Sequence, residues 1–108
     1  MLSDRSRQVL ADIAENVRLA WQFTEGVAFE ADRRTVYAIT RCLEIISEAS
    51  RRLDDEVRQR HADLPWRAIM GSGNVYRHGY DNIAEQLVGQ TVTEGLGAFL
   101  AMADAQLA

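Results

Sequence analysis

The chain has no lysine, a single cysteine and a single proline. One cysteine, Cys42, excludes an intrachain disulfide. It stands inside an apolar helical pattern, where a buried and chemically quiet thiol is expected. One proline and seven glycines leave little material for long linkers. No stretch approaches the roughly 18 consecutive apolar residues of a membrane span, so no membrane association is predicted. The first residues lack the basic-then-apolar layout of a signal peptide, which makes the cytoplasm the expected location. All twelve cationic side chains are arginine. Arginine suits bidentate recognition of phosphate and carboxylate; genomic base-composition bias accounts for the same usage. The net charge of −4 argues against bulk electrostatic binding of nucleic acid. It leaves room for a small local basic site.

What is present reads as one domain spanning residues 1 to 108, with 47% hydrophobic and 26% charged residues. The periodicity is helical throughout, with no strand-like alternation and no internal repeat. A first helix is predicted over residues 4 to 24, capped by Ser3 and stopped at Gly26. Leu10, Ile13, Val17, Ala20 and Trp21 form its apolar face. A second, long helix is predicted over residues 31 to 60. Its stripe is Val36, Ile39, Leu43, Ile46, Ala49 or Ser50, Leu53 and Val57. At nearly thirty residues it would measure about 45 Å and overhang so small a bundle. Pairs such as Glu48 with Arg52 and Asp54 with Arg58 would support it at i,i+4. Arg34, Arg41 and Glu48 share one face, either solvated or set in a helix–helix interface. A third helix begins near Pro65 and runs towards His78. Asn82 with Glu85 resembles a capping box opening a fourth. Gly95 and Gly97 either bend that helix, or Thr93 caps a separate last one with Leu96, Phe99, Leu100, Ala103 and Leu107 inside. The predicted fold class is all-α, an antiparallel four- to five-helix bundle.

The unusual residues gather in residues 65 to 80, which hold the only proline, one of two tryptophans, one of two histidines and two of three tyrosines. At helical spacing Asn74, Arg77, His78 and Asp81 lie along one side of the third helix, with Tyr80 just beyond Gly79. A helix C-terminus favours a protonated histidine. An adjacent arginine can bind a phosphate oxygen bidentately. Such a set suits general acid–base cleavage of a phosphodiester, and it equally suits a histidine that merely caps a helix. His61 lies in a polar turn with Arg60 and Asp63, where a surface role is expected. There is no metal-ligand spacing, no nucleophile elbow and no glycine-rich phosphate loop. Gly71–Ser72–Gly73 follows a helix rather than a strand, so it is not a dinucleotide fingerprint. No cofactor and no metal are expected.

Several blocks, in order, resemble the HepT-like family within the HEPN superfamily. Asp32–Arg33–Arg34–Thr35 opens the second helix. Leu43–Glu44–Ile45–Ile46–Ser47–Glu48–Ala49 is similar to the family's L-E-I-I-G-E-A. Arg60–His61–Ala62–Asp63–Leu64–Pro65–Trp66–Arg67–Ala68–Ile69 is similar to R-H-P-D-I-P-W-R-x-I. Met70–Gly71–Ser72–Gly73–Asn74–Val75–Tyr76–Arg77–His78–Gly79–Tyr80 is similar to M-x-x-R-N-x-x-x-H-x-Y, and Thr91–Val92–Thr93–Glu94 follows.

The resemblance implies the toxin subunit of a toxin–antitoxin module: a metal-independent ribonuclease, active as a homodimer and acting on RNA. It implies a partner, a minimal nucleotidyltransferase antitoxin of the MntA type, which silences the toxin by transferring AMP to the motif tyrosine. Carried over by position, His78 is the catalytic acid–base, Asn74 a supporting polar group and Tyr80 the modified residue. The motif arginine belongs at position 73, where this chain has glycine. Arg77 is the adjacent arginine, but one residue along a helix points about 100° away. Gly89 replaces a common tryptophan. The alternative reading is a catalytically inactive binding subunit that keeps the nucleotidyltransferase partner.

Overall fold

The computed structural model describes residues 2–25, 33–78 and 95–108. Among the described residues there are five helices and no strand: α1 (Asp4–Thr24), α2 (Arg33–Arg52), α3 (Asp55–Arg60), α4 (Trp66–His78) and α5 (Leu96–Leu107). None of these helices is long and apolar enough to cross a membrane. The predicted stop at Gly26 and the capping box at Asn82 fall outside the described residues.

The first helix forms where the apolar spacing puts it. Ser3 caps it, its hydroxyl accepting from the Ser6 amide at 3.0 Å. Val9, Leu10, Ile13, Val17 and Ala20 enter the core, but Trp21 stays 36% exposed at the edge of the stripe. The α2 stripe is buried along its whole length, from Val36 through Ile39, Leu43 and Ile46 to Ala49 and Ser50. Cys42 joins it, and burial pushes its thiol pKa up, disfavouring the reactive thiolate. Arg34, Arg41 and Glu48 are all exposed in the single chain.

The long second helix does not run to residue 60. It ends at Arg52, the chain turns at Leu53–Asp54, and α3 starts afresh. Donors from elsewhere take over the carbonyls that a continuing helix would have satisfied. The Arg58 guanidinium donates to Ser50 O at 2.8 Å and to Leu53 O at 2.7 Å. The Nε of Arg5 donates to Arg52 O at 3.0 Å. Arg58 pairs with Asp55 rather than with Asp54 as the helical spacing suggested. Asp54 turns to α1 instead. Its carboxylate accepts from the Ser3 hydroxyl at 2.8 Å and its amide donates to Ser6 Oγ at 3.3 Å. Hydrogen bonds from Ser3, then Ser6, hold the Asp54 carboxyl below its usual range. The break still leaves Leu53 and Val57 in the core at 1% and 2% exposure, so the apolar spacing survives a turn that it cannot reveal.

These contacts join the start of α1 to the end of α2, so the two helices run antiparallel. Ser47 faces Gly73 and Arg51 faces Met70, so α2 and α4 are antiparallel too. The last described helix starts at Leu96, with Gly95 before it; Thr93, the cap suggested by the sequence, lies outside the described residues. This helix buries Leu96, Phe99, Met102 and Ala103, with Leu100 and Leu107 partly covered. The result is an all-α bundle, as the periodicity predicts.

Candidate functional site

The site residues named from the sequence belong to α4 and to the segment after it. α4 opens where Pro65 O accepts from the Ile69 amide at 3.1 Å. Its first turn is pinned by Trp66. The Trp66 ring meets Phe99 edge-on, with centroids 5.3 Å apart and planes at 82°. Its indole N–H donates to His61 O at 2.9 Å. The His61 ring is also engaged, with Nε2 2.7 Å from the Gln106 amide nitrogen. His61 is therefore half-buried scaffolding that joins α4 to α5, and the surface role expected of it is corrected.

The middle of α4 is fastened to α2. Met70 O accepts from the Ser47 hydroxyl at 3.1 Å and from Arg51 Nε at 2.7 Å. The same Ser47 oxygen accepts from the Gly73 amide at 3.2 Å. Ser47 is 2% exposed and Gly73 is buried, so the two helices approach closely here. Gly71, two residues earlier, is exposed, and a Cβ there would meet nothing within 4 Å. The two glycines therefore differ in kind: Gly73 stands within a helix contact and Gly71 faces open space.

Asn74, Arg77 and His78 lie on the last part of α4, directly beyond this anchor. Tyr80 lies outside the described residues. By helical spacing Arg67, Met70, Asn74, Arg77 and His78 fall along one side of α4. The helix carries two arginines and a histidine and no carboxylate, a local charge opposite in sign to that of the whole chain. Ser47 and Arg51 escaped the sequence reading. Both sit off the apolar stripe of α2, and only the partner helix shows what they do. A signal was nonetheless available in the family pattern. Its glycine stands where this chain has Ser47, and its arginine where this chain has Gly73. The two departures touch each other across the α2–α4 contact.

The family model described as Ribonuclease HepT-like matches residues 10–105. A probable ribonuclease HepT of Thermococcus cleftensis is 32% identical over 93 residues, covering 83% of this chain and 84% of that protein. A putative RNase of Methanocaldococcus jannaschii is 32% identical over 88 residues, covering 79% and 81%. A putative RNase of Caldanaerobacter subterraneus subsp. tengcongensis is 29% identical over 89 residues, covering 80% of each. No solved structure matches the chain. An all-helical bundle with a histidine-bearing helix tied to its neighbour is the class of protein defined by fold and site. Within that class, the chain belongs to the HepT-like ribonuclease family.

Proposed function

We propose that this protein is the toxin subunit of a toxin–antitoxin module, a ribonuclease that works as a homodimer in the cytoplasm without a metal. In this reading His78 is the general acid–base, Asn74 supports it, and Arg77 is the nearest cation on the same helix. The observation that carries the reading is family membership together with the placing of His78 at the end of a carboxylate-free helix. A minimal nucleotidyltransferase neutralises the toxin by AMP transfer. The Tyr80 phenolic oxygen attacks the α-phosphorus of ATP, pyrophosphate leaves, and the new phosphodiester sets negative charge two residues from His78. Intact-mass measurement after incubation with the cognate transferase and ATP is expected to show one added AMP on the wild type and none on Tyr80→Phe. A Tyr80→Phe protein that still gains AMP places the modification elsewhere.

A second reading is favoured by Gly73. Without the motif arginine the chain is a binding subunit that keeps the partner and lacks catalysis. Substitutions at positions 47 and 73 separate the two. Gly73 is buried and its amide donates to Ser47, so a lone Gly73→Arg adds a long side chain beside an existing helix contact. Ser47→Gly with Gly73→Arg makes the room. The double variant is expected to cleave RNA about 10²–10³-fold faster than the wild type, the scale of one restored transition-state donor. The single Gly73→Arg variant is expected to gain less. A wild type that is inert beside an active double variant establishes the binding-subunit reading; equal rates remove Gly73 as the cause of any deficit.

A further inference from the structure

Position 73 contributes no cation, yet a guanidinium reaches the same turn of α4 from the neighbouring helix. Arg51 is exposed at the end of α2, and its Nε donates to Met70 O at 2.7 Å. That bond uses one of five N–H donors and leaves the fork of terminal nitrogens to be filled. Ser47, one turn earlier on α2, bonds to the same carbonyl and to the Gly73 amide, so the α2–α4 spacing that places Arg51 is fixed independently of Arg51 itself. Met70 and His78 are two turns apart, about 12 Å along the helix axis. That is too far for Arg51 and His78 to act at one phosphorus, and near enough for one nucleic-acid strand to meet both. Between them α4 places Asn74 and Arg77 on that side by spacing, with Arg67 one turn before Met70, and α4 itself carries no acid.

We propose that Arg51 is a phosphate-binding residue for RNA, holding a backbone phosphate that flanks the one at His78; the inference rests on the ribonuclease reading. The Met70 carbonyl orients the guanidinium, and its terminal N–H groups take two phosphate oxygens. A contact to a flanking phosphate is made equally in the ground state and the transition state, so its loss falls on KM more than on kcat.

Wild type, Arg51→Gln, Arg51→Lys and His78→Ala are compared in two assays. One is cleavage of a single-stranded RNA; the other is salt-dependent binding of the same sequence as 2′-O-methyl RNA, which resists attack from the 2′ position. Arg51→Gln is expected to weaken binding about tenfold and raise KM in step. It should also flatten the slope of log K against log[salt] by about 0.7, the value of one phosphate contact on a single strand. Arg51→Lys keeps the charge and is expected to recover the slope but not the full affinity, because lysine lacks the fork. Binding and slope unchanged in Arg51→Gln overturn the proposal. Cleavage no faster in the wild type than in His78→Ala overturns the ribonuclease reading instead, and the binding assay still decides Arg51.

Discussion

Substituting His78 by alanine is expected to reduce RNA cleavage by roughly 10²–10⁴-fold, the range supplied by a positioned general acid–base. Phosphodiester cleavage needs a group that removes a proton from the attacking oxygen and another that protonates the leaving one. His78 is the histidine proposed for that work, because the His61 ring is engaged by Gln106 and its carbonyl by Trp66. Purified wild-type and variant proteins, matched by circular dichroism, are compared on a labelled single-stranded RNA with chelator present. Loss of cleavage in His78→Ala and retention in His61→Gln separate the catalytic histidine from the structural one. Equal rates in wild type and His78→Ala remove general acid–base catalysis from α4 and with it the toxin mechanism.

The second large effect concerns the fold. Leu43 is fully buried in α2, the helix against which both α1 and α4 pack. Leu43→Ala is expected to cost about 2–5 kcal/mol, combining the lost transfer of the side chain with the cavity left behind. Domains of this size have only about 5–15 kcal/mol to lose, so the variant should unfold at a much lower urea midpoint with an unchanged slope. Arg7→Ala, on the exposed side of α1, is expected to stay within about 0.5 kcal/mol. A Leu43→Ala midpoint indistinguishable from that of Arg7→Ala would mean that α2 is not the centre of the bundle. The same substitution should also impair cleavage, since α2 carries Ser47 and Arg51 and so sets where α4 sits.

The reach of the sequence can be seen residue by residue. Helix α1 and its Ser3 cap were legible because a capping serine and a 3.6-residue stripe are local signals, and local interactions decide them. The core positions from Val36 on α2 to Val57 on α3 were legible for the same reason. The break at Leu53–Asp54 was not. Leu53 and Val57 keep helical spacing across it, and the carbonyls at the helix end are taken by Arg5, 47 residues back from Arg52, and by Arg58. Trp21 shows the converse: it has the right spacing, yet it stays 36% exposed at the edge of the stripe.

The candidate site divides in the same way. The blocks around Leu43, Pro65 and His78 were enough to place the chain in its family and to name His78, Asn74, Arg77 and Tyr80. The sequence also shows by itself that position 73 is glycine, where the resemblance implies an arginine, since residue identity needs no coordinates. That Gly73 rests on Ser47, and that Arg51 comes from α2 to the same turn of α4, was decided by tertiary structure alone. Periodicity reports which side of a helix is apolar. It carries no information about which polar group on a second helix, 19 or 26 residues away, will find an unsatisfied carbonyl or amide when the two are packed together.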